Sequence, residues 1–284
     1  MILDVNKISQ EVKDFGCCKV NGFFNNDEIA KAKEITKGNI KGYSAKNGIL
    51  SHKGGKKKSD QYIPHTILSL LIKLIKFDFR KLNQGLYAIN FMKKRPQIKE
   101  ICNRVFETKN KLSFIDGYEI KDNEKIIWHT DKLLSNNLND NKIIFFIYLD
   151  NVEEKSGSMG YIKGSHKITH FIKKGLIDEK LSIKNLGSKN ELPLDGDNFS
   201  LEFLKDLIQE KNNYNYLINC LKDKKIIDNF LEKIETLISN GETGEFFYKM
   251  KKGDAIIFDQ SGIHGGSEVK ENERSVIRLA FNKV

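Results

Sequence analysis

The sequence predicts a mainly β fold with α decoration, a double-sheet jelly roll with helices packed against it. Three observations carry this expectation. From Leu112 onward, short apolar stretches of strand length recur, rich in Ile, Phe, Val and Tyr and separated by Asn, Asp, Gly and Lys. The opening third carries helical periodicity instead. A span from about Ile172 to Glu245 then interrupts the strands with further helical segments. Strands spaced this way suit a barrel or a two-sheet sandwich rather than alternating βαβ units.

In chain order, Asn25, Asn26 and Asp27 can cap a helix through Ile29, Ala30, Ala32 and Ile35, ended near Gly38. A second helix starts around Pro64 and holds Ile67, Leu68, Leu70, Leu71, Leu74 and Ile75, a pattern wide enough for burial on most of its circumference. Between them, Gly48 to Asp60, with Lys56-Lys57-Lys58, reads as a mobile loop. A third helix is expected from Pro96 to Thr108. Strands are expected at Leu112–Tyr118, Ile126–His129, Ile143–Leu149, Gly253–Phe258 and Ser275–Phe281, and insertion helices at Leu201–Glu210 and Ile226–Leu237. With no repeat and no clean linker, the expectation is one domain over 1–284. Its helical part covers about 1–110, its β core about 111–170 and 246–284, and its insertion about 171–245.

Composition narrows the function classes. The 48 Lys and Arg against 38 Asp and Glu give a formal charge of +10, yet both signs are abundant throughout. Beyond the short Lys loop there is no basic stripe with interleaved aromatics, so no nucleic-acid partner is expected. The most apolar segments are too short or too interrupted by Lys to span a bilayer, and no targeting signal is visible. Cys17, Cys18, Cys102 and Cys220 make no metal pattern, and adjacent Cys17 and Cys18 are poorly placed to bridge each other. A reduced, cytoplasmic setting follows as the expectation. Oligomeric state, monomer or homodimer, is left open.

The chemistry-bearing residues lie on the strands. Ile126-Ile127-Trp128-His129 ends a strand and Asp131 follows; two side chains one residue apart point to the same side of a strand. His264 follows the turn and strand Gly253–Asp259 and the polar Gln260-Ser261-Gly262. Two His and one carboxylate make the set that holds Fe(II) by one face and leaves positions open for a co-substrate and O2. The competing reading of His129 is a rim histidine hydrogen-bonded to a nearby carboxylate. Arg274, ten residues after His264, begins the last strand and suits a planar carboxylate; Arg278 shares its parity. For both arginines the competing reading is a salt bridge to a surface carboxylate.

Five segments occur in an informative order: Phe15 to Phe24 followed by Asp27-Glu28-Ile29; Trp128-His129-Thr130-Asp131; Gly157 to Lys167, ending Lys163-Gly164-Ser165-His166-Lys167; Gly253-Asp254 through His264-Gly265-Gly266-Ser267; and Arg274 to Phe281. Together they resemble the phytanoyl-CoA dioxygenase family of Fe(II)/2-oxoglutarate-dependent oxygenases. Lys163 stands where that family usually has Pro, and Thr130 where it often has Gln. The resemblance implies a double-stranded β-helix, cupin-like core. It implies His129, Asp131 and His264 as iron ligands and catalytic centre, and Arg274, with Arg278 as the fallback, as the partner of 2-oxoglutarate. It implies Fe(II) with 2-oxoglutarate and O2 as co-substrates, and hydroxylation of an unactivated C–H bond of a small molecule with release of succinate and CO2. Asp131 argues against halogenation, for which the carboxylate is replaced by a small residue. His166 reads as a loop-capping residue and Trp128 as packing beside the ligand. Lys53, Lys56, Lys57 and Lys58 read either as a solvated loop or as a charge that draws an acidic group of the substrate to the mouth of the site. The rival readings are a non-catalytic metal-binding jelly roll, which predicts metal without 2-oxoglutarate turnover, and a nucleobase oxygenase, which predicts salt-sensitive polynucleotide binding.

Overall fold

A computed structural model describes residues 3–33, 90–91, 93–120, 126–131, 133, 137–153, 157–181, 200–240, 246–269 and 274–284. The expected helix at Pro64 to Ile75 and the Lys53 to Lys58 loop lie outside these residues. Helix α1 (Val5–Phe15) is capped by Asp4, whose carboxylate accepts the Lys7 N–H, and ends at Gly16. Strand β1 (Cys17–Val20) follows, then a helical stretch over 26–33 capped by Asn25. Helix α2 (Pro96–Phe106) starts with proline, which needs no N–H partner there, and buries Ile98, Ile101, Cys102 and Phe106.

The β elements are β2 (Asn110–Ile120), β3 (Ile126–His129), β4 (Lys142–Tyr148), β5 (Met159–Tyr161), β6 (Ala255–Asp259), β7 (His264–Gly266) and β8 (Arg274–Lys283). Between β5 and β6 come α3 (Ser165–Ile177), α4 (Leu201–Gln209), α5 (Lys211–Leu221) and α6 (Lys224–Asn240). The strands form two antiparallel sheets, one in the order β1-β6-β4-β8-β2 and the other β3-β7-β5.

Strands β4, β6 and β8 are buried on both faces, which is why they read as continuous apolar runs. Alternation then sorts their side chains. Ile143, Phe145, Ile147, Ile257, Leu279 and Phe281 pack with Ile8 and Val12 of α1 and Ile98 and Ile101 of α2. The alternate residues Ile144, Phe146, Tyr148, Ile256, Phe258 and Val276 meet Met159 and Tyr161 of β5 between the two sheets. A third cluster joins Leu204, Leu207, Leu217, Ile227 and Ile234 of α4–α6 to Ile162 and Ile263, with Trp128 packed against it. The insertion helices therefore cover the smaller sheet, and Trp128 lies beside Phe246 and Phe247, ring centroids 6.2 and 5.4 Å away.

Helix α5 was not foreseen. Its Asn-rich start has weak helical propensity. The Glu210 carboxylate nevertheless accepts the Asn212 and Asn213 N–H groups, and the buried Asn213 amide donates to the Leu207 carbonyl at 2.9 Å. Among the described residues no helix is long and apolar enough to cross a membrane.

Candidate metal centre

Strands β3 and β7 create the site by pairing. His129 is the register partner of His264, so the last residue of one strand faces the first of the other. Their rings lie 4.4 Å apart, centroid to centroid. Asp131, just past the end of β3, returns toward the same point, with Oδ1 3.4 Å from His129 Nε2 and Oδ2 3.8 Å from His264 Nε2. One ligand atom of each residue lies within 4.8 Å of the others, a spacing that could hold a metal ion.

The turn from β6 to β7 fixes His264. Asp259 Oδ1 accepts both the Ser261 N–H and the Ser261 hydroxyl, and Asp259 Oδ2 accepts from Asn141. The Thr130 hydroxyl donates to the Ser261 carbonyl and the Ile263 N–H to the Ser165 hydroxyl. Gly262 is held where a Cβ would stand 1.8 Å from the Tyr161 hydroxyl oxygen, so only glycine fits. His264 Nδ1 lies 2.9 Å from the Gly262 carbonyl. A neutral imidazole there donates from Nδ1 and leaves Nε2 with its lone pair facing Asp131.

Electrostatics keep His264 and Asp131 in ligating form. Burial, and then His129, push His264 down to about 4, against the pull of Asp131, so its imidazole is neutral near pH 7. Burial alone would raise Asp131, but His129, His264 and the Gln260 amide together outweigh it and hold the carboxyl well below its ordinary range. Gln260 donates from Nε2 to Asp131 Oδ2. Sequence reasoning passed over Gln260 because it lies in a polar turn; only the fold reveals its partner.

Both arginines enter the space between the sheets. Arg274 is 3% exposed, and its Nε and Nη1 are buried with no hydrogen-bond partner. Arg278 is 6% exposed and stacks over Phe114 at 4.7 Å. Backbone register sets Arg278 opposite Asp116, and Arg274 opposite Ile120. The wall beside Arg274 is Gly157, at φ +76°, where a Cβ would come within 3.2 Å of Arg274 Cδ. His166 stands apart from the triad: its Nε2 lies 3.0 Å from the Lys13 carbonyl, tying the start of α3 to the last turn of α1.

The donor set tests the site for iron and 2-oxoglutarate. Two imidazoles and a carboxylate without thiolates suit Fe(II), and buried guanidinium donors without a hydrogen-bond partner suit a carboxylate. The family model for phytanoyl-CoA dioxygenase (PhyH) matches residues 12–275. The chain belongs to the phytanoyl-CoA dioxygenase family.

Solved structures agree on the fold of this PhyH-family chain. The epimerase SnoN, in complex with Fe3+, alpha ketoglutarate and nogalamycin RO, superposes with a TM-score of 0.53 at 10% identity, covering 98% of this chain and 83% of its own. EvdO2 from Micromonospora carbonacea var. aurantiaca gives 0.52 at 11%, covering 100% and 92%. AviO1 from Streptomyces viridochromogenes Tue57 gives 0.51 at 13%, covering 100% and 96%. At these identities the likeness is one of fold, a distorted double-stranded β-helix with N-terminal helices. A search of curated proteins finds no match. The triad and the family together support Fe(II)- and 2-oxoglutarate-dependent oxidative chemistry.

Proposed function

We propose that this PhyH-family protein is an Fe(II)/2-oxoglutarate-dependent dioxygenase that hydroxylates an unactivated C–H bond of a small molecule. The observation that carries the reading is the convergence of His129, Asp131 and His264 on one point. When bound, ferrous iron and 2-oxoglutarate supply the activation of O2, with succinate and CO2 released and one oxygen atom delivered to the substrate. SnoN, an epimerase bound to Fe3+ and alpha ketoglutarate, supports the pairing of this fold with that cofactor set.

The chain's residues do the rest. His129 and His264 present Nε2 and Asp131 a carboxylate oxygen, while the Gly262 carbonyl and the Gln260 amide orient two of the three. Arg274 is the partner of the distal carboxylate of 2-oxoglutarate. Its buried Nε and Nη1, without a hydrogen-bond partner, favour it over Arg278. Burial between the sheets excludes water from the reacting centre. A shallow depression adjoins Asp131, with Thr169, His170 and Lys173 of α3 among its lining, and its basic and polar rim suits a polar, acidic group of the substrate.

Incubation with Fe(II) and 2-oxoglutarate in air, without added substrate, tests the turnover. Slow iron-dependent formation of succinate by the wild type, absent in His264→Ala, is the expected result. Metal binding with no succinate formed even in a broad screen of small molecules favours the non-catalytic metal-binding reading.

A further inference from the structure

Strand β1 turns one of its two adjacent cysteines toward the space between the sheets and the other toward the helices. Cys17 belongs to the inner cluster with Phe258 and Tyr161, whereas Cys18 packs with Ile8 and Val12 of α1. The inner thiol is 3% exposed, and its Sγ lies 3.1 Å from the Tyr248 hydroxyl oxygen. The main chain pins Tyr248 there: its N–H donates to the Met159 carbonyl of β5, and the next carbonyl, of Lys249, accepts from the Lys19 ammonium of β1. Burial pushes the Cys17 thiol up to about 11 and raises the Tyr248 phenol as well. Both are therefore protonated near pH 7, and a buried thiol without thiolate character resists oxidants and disulfides arriving from solvent. The pair stands instead beside the metal centre. Cys17 is the register partner of Phe258, whose ring lies 5.2 Å from that of His264. Tyr161 is the register partner of His264, and its ring lies 6.0 Å from Phe258. Two aromatic rings thus connect a metal ligand to the neighbourhood of the thiol. A thiol and a phenol both surrender a hydrogen atom readily, and holding them in contact makes their coupling intramolecular.

We propose that Cys17 and Tyr248 become joined by a thioether, the Cys17 sulfur bonding to the ring carbon beside the Tyr248 hydroxyl, when the centre turns over without substrate. The proposal rests on the Fe(II)/2-oxoglutarate reading of the site, which supplies the oxidant. The S–H bond of Cys17 and one ring C–H bond of Tyr248 break, and one S–C bond forms. The two electrons and two protons released reduce the oxygen atom that a substrate would otherwise accept, and it leaves as water. The balance is 2-oxoglutarate, O2, thiol and phenol in; succinate, CO2, water and thioether out. The link forms once per chain and ties β1 to the segment that follows α6.

Protein purified free of iron under reducing conditions is given Fe(II), 2-oxoglutarate and air with no substrate, and succinate and peptide masses are followed together. The wild type is expected to lose two hydrogen atoms per chain and to yield a peptide pair joining Cys17 to Tyr248 that survives dithiothreitol. Cys18, on the opposite face of β1, is expected to remain a free thiol. Tyr248→Phe is expected to form succinate without the link, which also shows that the variant retains a folded site. His264→Ala is expected to form neither. Succinate formed over many turnovers, with Cys17 still open to alkylation after unfolding and no linked peptide, overturns the proposal and leaves the oxygenase reading standing. A link formed equally in His264→Ala overturns the metal centre as its source. A wild type that forms neither succinate nor link overturns the proposal and the oxygenase reading together.

Discussion

At His264 one ring nitrogen faces the Gly262 carbonyl and the other faces Asp131, so a main-chain bond decides which nitrogen is offered to a metal. Asp131 is held in the same way by Gln260. Loss of such an outer partner typically weakens metal binding about ten- to a hundred-fold. Gln260→Ala should therefore bind Co(II) at least about ten-fold more weakly in a chelator competition, with far-UV circular dichroism unchanged. An unaltered affinity would remove Gln260 from the account. His166 gives a prediction of a different kind. Burial holds its imidazole below the ordinary range, Asp259 and the Lys13 carbonyl opposing, Lys167 and His170 reinforcing. The unfolded chain, with an imidazole near about 6.5, takes up the proton first. The stability tied to a neutral His166 is thus complete above that pH and is lost as pH falls below it. Urea unfolding of the metal-free protein between about pH 7.5 and 5.5 should show a shallower decline in His166→Gln than in the wild type. Identical slopes would contradict this.

Among the elements, the turn from β6 to β7 is the most constrained. Gly262 faces the Tyr161 hydroxyl, which itself donates to the Asp259 carbonyl at 3.0 Å and is fully buried, so the hydroxyl has little room to yield. Gly262→Ala should lower stability by about 1–3 kcal/mol and weaken metal binding, because the displaced residue is the one that orients His264. Chemical denaturation and a Co(II) titration on one preparation test both; full stability would show that the turn is softer than its packing suggests. What was readable at this scale follows physical signal strength. Helix α2 and strands β2, β3, β4, β6 and β8 were legible because proline, period-2 alternation or a long apolar run marks each. Strands β5 and β7 are three residues long and rich in glycine, and helix α5 opens on Lys-Asn-Asn. In these, pairing or capping supplies what local preference lacks.

For the molecule as a whole, the site residues were legible as a set of types and the geometry was not. His129 and Asp131 share one strand end, so their approach was foreseeable from parity. That His264 would stand directly opposite His129, and Arg274 in the same interior as Tyr148, depends on how β3, β7, β4 and β8 pair. Because those ligands come from two paired strands of the smaller sheet and the turn after β3, metal binding should stabilise the folded state. Ligand present at about a hundred times its dissociation constant adds about 2.7 kcal/mol of stability. Co(II) should accordingly raise the unfolding midpoint of the wild type, and not that of His264→Ala. The central claim, that this cavity assembles ferrous iron with 2-oxoglutarate, is tested most directly by anaerobic titration of the Fe(II)-loaded protein with 2-oxoglutarate. A weak visible charge-transfer band should appear, be lost in His264→Ala and be weakened in Arg274→Ala. Metal binding with no band at saturating 2-oxoglutarate would contradict the account and favour a non-catalytic metal-binding jelly roll.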